Sequence, residues 1–190
     1  MRALLFSICL ALIAGVIAGP ARAQTATAAH RAPDIAAQHA AMQRLAPLLG
    51  EWEGEANLLG PRAMLVHQTE RVEAAMDGLL LVIRGTGFAT PERAGAPVFQ
   101  ALAVVSYDDR QGMYEFRSYA MGYATTATGE FMPDGAFRWS INPGGPVRIR
   151  YTIIFDQDSF RETGEMSRDA GSTWTPTIEM QLHRAGGRSP

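Results

Sequence analysis

A chain of 190 residues with 17 basic and 19 acidic side chains has room for one domain behind a short leader, at a formal net charge of −2. Every basic residue is arginine, which excludes Schiff-base chemistry, and the lone cysteine, Cys9, sits in the apolar leader, which excludes a disulfide or a thiolate centre in the rest of the chain. The mildly acidic balance argues against nucleic acid or an anionic membrane surface as partner.

The first element is the leader itself. Met1-Arg2 precede an uncharged apolar run to Ile17, and Pro20-Ala21-Arg22-Ala23 come next, with small residues at the −3 and −1 positions. This is the pattern of a secretory signal peptide over residues 1–23, cut after Ala23. The run is shorter than the ~20 residues a spanning helix needs, so no stable membrane insertion is expected after cleavage. The expected location is periplasmic or secreted. Residues 24–33, rich in Ala and Thr, read as a disordered leader, 34–186 as the folded domain and 187–190 as a disordered tail.

Pro33-Asp34 opens a short helix in which Ile35, Met42, Leu45 and Leu49 fall near one face, and Pro47 should end or distort it. From Gly50 the period changes to two. Trp52, Gly54, Ala56 and Leu58 alternate with Glu51, Glu53, Glu55 and Asn57, and the same alternation recurs in Phe137–Ile141, Val147–Phe155 and Ile178–Leu182. Turn signals such as Asp77-Gly78, Asp134-Gly135 and Asn142-Pro143-Gly144-Gly145 punctuate the segments. About ten strands result, near 49–58, 63–75, 79–88, 98–107, 113–120, 123–131, 136–141, 147–155, 159–167 and 176–184. With no helix between them they form an antiparallel meander, and so many strands in one domain close into an up-and-down β-barrel or stack as a sandwich. The sequential hairpins favour the all-β barrel of 8–10 strands.

Gly50-Glu51-Trp52 stands at the start of the first strand, after the helix, and Arg184 ends the last. The pairing resembles the calycin pattern of lipocalins and fatty-acid-binding proteins, which implies that Trp52 closes the barrel floor and Arg184 lies across its ring. Leu48 to Gly54 and Met166 to Trp174 also resemble a bacterial calycin-like family known only as a domain of unknown function, and the opening Leu48 to Gly54 more distantly resembles that of the nitrobindin-like haem barrels. What this resemblance implies is a fold; it carries no activity.

The inner faces of the strands admit three readings of function. Gln68 and Glu70 share parity with Val66 and Val72, Arg84 with Val82 and Phe88, and Glu162 with Phe160 and Met166, so all four are expected to face the interior. An interior carboxylate is costly unless paired, which makes Arg84 the expected partner of Glu70 or Glu162, with Tyr107, Tyr119 or Tyr151 supplying hydroxyls. Such a set would fix the polar end of a small apolar or amphipathic ligand, with Gln68, Glu70, Arg84, Tyr107, Tyr151 and Glu162 as its contacts. It would otherwise serve an isomerase- or cyclase-type enzyme through an interior carboxylate and tyrosine, or simply knit strands together. Haem needs an inward imidazole; His67 and His183 share parity with the polar faces of their strands, so no cofactor is expected unless a bulge shifts the last strand. No histidine–acid spacing suits a metal. Phe99, Tyr114, Phe116, Phe137, Trp139 and Phe155 either line a cavity or fill a core.

Overall fold

Alternating apolar and polar residues become a sheet that closes on itself. The computed structural model describes residues 31–61 and 63–186; the expected signal peptide, most of the leader and the expected tail lie outside the described residues. Ten strands are described: β1 (Gly50–Leu58), β2 (Met64–Ala75), β3 (Leu80–Phe88), β4 (Phe99–Asp108), β5 (Met113–Ala120), β6 (Tyr123–Phe131), β7 (Phe137–Gly144), β8 (Val147–Phe155), β9 (Ser159–Ser167) and β10 (Thr175–Arg184). Each pairs antiparallel with its neighbours in sequence, and β1 pairs with β10, so the all-β sheet is a closed calycin-like barrel without a free edge. β7 runs past its expected end at residue 141 because the register shifts between Ile141 and Gly144.

The helix α1 (Ile35–Gln43) is capped by Asp34, whose carboxylate accepts from the Ala37 N–H at 3.0 Å. Ile35 is not on the buried face as expected; it is 47% exposed, and burial begins at Met42 and continues through Leu45 and Leu48. Pro47 sits in a short 3-10 turn over Ala46–Leu48 that redirects the chain into β1. Tyr114 ties the helix to the barrel by donating its hydroxyl to the Ala41 carbonyl at 2.8 Å.

The helix covers the end of the barrel where the odd strands begin. There the interior is solid. Trp52, Phe137 and Leu182 are fully buried, and Tyr114 meets Tyr107, Phe131 and Phe137 edge-on at 5.0–5.7 Å between ring centroids. Trp52 donates its indole N–H to the Leu48 carbonyl at 2.7 Å, and the Arg184 guanidinium lies 4.0 Å above its ring. The same guanidinium donates to the carbonyls of Leu49, Pro47 and Gln157, so one side chain joins the last strand, the helical turn and the β8–β9 hairpin. Gly50 stands beside Trp52 and Arg184, where a Cβ would run into the Arg184 guanidinium.

Candidate functional site

Just above this plug the inner face becomes polar. On β2, Gln68 and Glu70 both point inward, as expected, and both are buried. Gln68 donates its amide to Glu70 Oε1 at 2.8 Å. They fit because β3 offers Gly85 beside them: a Cβ there would lie 2.6 Å from Glu70 Oε1 and 2.9 Å from the Gln68 amide nitrogen. On β9, Glu162 also points inward and accepts the Trp139 indole N–H on Oε1 at 3.0 Å.

Trp139 belongs to a slab of three rings. It stacks on Tyr151 with centroids 4.0 Å apart and planes 9° apart, and on Phe116 at 4.3 Å and 5°. Tyr151 is β8's direct partner of Trp139, whereas Phe116 stands on β5, beyond β6, and is reached because Ala127 and Gly129 leave the inner face of β6 low. Gly164 supports the other edge, since a Cβ there would stand 2.5 Å from Ile178 and 2.7 Å from the Tyr151 ring.

Around and beyond Phe116, the inner faces of β4 to β6 present small side chains: Ala101, Ala103, Ser118, Ala120, Thr125 and Ala127. Trp139, Tyr151, Glu162, Ile149, Met166 and Ile178 face inward, yet each keeps intermediate exposure. The plug is therefore a filled core, and the upper chamber of the barrel is lined by side chains that are only partly buried.

Electrostatics follow from this placement. Burial pushes the Glu70 carboxyl up to about 8, with the Gln68 hydrogen bond opposing it and the nearby Glu162 charge adding to it. Burial pushes Glu162 up to about 7, opposed by the Trp139 hydrogen bond. Burial, then the Glu162 charge, also raises the Tyr151 phenol. Both carboxyls are thus held above the usual carboxylate range, which lets the pair donate or accept a proton near neutral pH.

Two expected contacts are not here. Arg84 lies on the outer face, half exposed, with its guanidinium 2.6 Å from Glu73, which also pairs with Arg71 at 2.9 Å. Its inner-face neighbours are Leu81, Ile83, Gly85 and Gly87; the run Leu80-Leu81-Val82-Ile83 is apolar at both parities, and the glycines that mark the inward face carry no hydrophobic signal. The expected pairing of Arg84 with Glu70 or Glu162 does not exist. Tyr107 faces inward but sits in the plug against Tyr114, below the acids. Tyr119, also considered, is exposed. Gln68, Glu70, Tyr151 and Glu162 are brought together; the sequence offered Trp139 only as a cavity-lining or core ring and did not show its hydrogen bond to Glu162.

The two strand histidines among the described residues lie outside the lumen. His67 is 3.7 Å from Glu55 and His183 3.9 Å from Glu53, in an open groove of about 460 Å³ between β1, β2, β10 and the segment carrying Pro91 and Arg93. No histidine among the described residues faces the lumen, so the chamber does not supply the imidazole that haem ligation through His183 calls for. Among the described residues, no group of three or more His, Cys, Asp or Glu converges on a metal-sized site.

No protein-family model matches the chain, and no curated protein matches it significantly. Among solved structures, it is similar to the crystal structure of Rv2717c from M. tuberculosis. The TM-score is 0.60 at 20% identity, covering 76% of this chain and 96% of that one. The likeness is one of fold.

Proposed function

We propose that this chain is an exported binding barrel that holds a small, largely apolar molecule in the chamber above its plug. The export part rests on the apolar leader and its small-residue cleavage pattern. The binding part rests on one observation: inward-facing Trp139, Tyr151, Ile149, Met166 and Ile178 keep intermediate exposure, beside a stretch of small inward residues on β4 to β6. A chamber that is mostly apolar with a few placed polar groups has the character of a ligand site. Ten strands enclose more width than the eight that side chains alone just fill. The contacts assigned to the ligand are Gln68, Glu70, Tyr151 and Glu162, with the Trp139 ring beside them. The test is titration with N-phenylnaphthylamine, a neutral apolar fluorophore. Saturable enhancement at one dye per chain, lost in Ala101→Phe, supports the reading; enhancement that is absent or indifferent to that substitution overturns it.

A second reading, a barrel enzyme of isomerase or cyclase type, is favoured by two inward acids near Tyr151 whose carboxyls burial holds above the usual range. Its test is incubation with a metabolite extract of the host. A compound altered by the wild type but not by Glu162→Gln supports it, and identical extracts reject it.

A further inference from the structure

The binding reading leaves the chemistry of the ligand open, and the distribution of charge narrows it. The chain has no lysine. Among the described residues the arginines of the barrel wall face outward, as in Arg84 with Glu73, Arg150 with Glu165 and Arg117 with Glu115. Arg184, at the floor, is fully engaged by Trp52 and three carbonyls. Both acids therefore face the chamber without a counter-cation.

Their hydrogen bonding is also half complete. Glu70, nine-tenths buried, takes the Gln68 amide on Oε1, and Glu162 takes the Trp139 indole on Oε1. Among the described residues, Oε2 of each accepts nothing, yet neither is a sealed, unsatisfied atom, so both reach the lumen. An anionic ligand would bring its charge against two carboxyls whose ionised form burial already disfavours, in a poorly screened space. A cation instead supplies donors to both free oxygens and lets the acids ionise against it, while the stacked rings of Phe116, Trp139 and Tyr151 give an apolar wall beside them.

We infer that the ligand is a flat, largely apolar amine, bound with its ring system along the Trp139–Tyr151 slab and its protonated nitrogen donating to the free oxygens of Glu162 and Glu70. This deepens the binding reading and rests on it.

The test uses three probes of one shape and different charge: naphthalenemethylamine, naphthalenemethanol and naphthoate, titrated calorimetrically into the full barrel. The amine should bind roughly tenfold or more tighter than the alcohol, with naphthoate weakest. Glu162→Gln and Glu70→Gln should each erode that advantage, and the double variant should erase it while still binding the alcohol. Thermal melting checks that each variant is folded, and the two single variants carry the test if the double one does not fold. Naphthoate binding as well as the amine overturns the inference, as does an amine preference that survives both single substitutions. If the alcohol binds and the amine gains nothing, only this inference fails; if none of the three binds, the binding reading fails with it.

Discussion

The indole N–H of Trp139 donates to Glu162 Oε1 across 3.0 Å, which joins the ring slab on β7 and β8 to the acid on β9. A single side chain thus forms the apolar wall of the chamber and orients one of its two acids.

Replacing Trp139 by Phe keeps a ring against Tyr151 and Phe116 but removes that donor. Because the hydrogen bond holds the Glu162 carboxyl down, its loss should raise the Glu162 titration midpoint above about 7. Carbon-13 NMR of the glutamate carboxyls reads this directly. The variant should also lose about 1 kcal/mol of stability in chemical denaturation.

The acids make stability depend on pH in an unusual direction. Glu70 has an ordinary value of 4.5 and a folded value of about 8, so the folded chain holds its proton more tightly. Its stabilising contribution is fully present below about pH 4.5 and is lost as pH rises through about 8. Glu162 acts in the same sense, between 4.5 and about 7. Glu70→Gln, which cannot ionise, should therefore melt roughly 5 °C higher than wild type near pH 8.5 and show little difference near pH 4.5. A gain confined to acid pH would contradict the placement of Glu70.

Gly164→Ala places a methyl 2.5 Å from Ile178 and 2.7 Å from the Tyr151 ring. Overpacking of this kind costs about 1–3 kcal/mol. Thermal melting should fall accordingly, and dye binding should weaken because the displaced Tyr151 disturbs the slab.

Arg184→Ala removes the guanidinium from the Trp52 ring and frees three carbonyl acceptors. A loss of about 2–4 kcal/mol in urea denaturation is expected, and Arg184→Lys should recover little, since an ammonium lacks the planar fork. Arg84→Ala is the contrasting case. Its pair with Glu73 is exposed, so it should cost under about 1 kcal/mol and leave dye affinity unchanged.

The contrast between these two arginines shows how far the sequence was legible. Arg184 ends a strand whose inward set, Ile178, Met180 and Leu182, alternates cleanly with Glu179, Gln181 and His183, so its direction was readable. The strand bounds were readable for the same reason: alternation and Asp/Gly turns mark nearly all of them to within a residue. Arg84 comes after five apolar residues in succession, Leu79 to Ile83, and the glycines at 85 and 87 hide the inward face. The ring slab was hidden for a different reason. Phe116 and Trp139 stand on strands that are not neighbours, and their contact depends on barrel curvature and on the low inner face of β6, neither of which has a period.

Native mass spectrometry of the protein purified from its own host tests the binding chamber most directly. A binding chamber predicts one small molecule per chain in the wild type and none in Ala101→Phe, whose added ring occupies the lumen. An adduct retained in that variant, or the bare polypeptide mass in both, would contradict it.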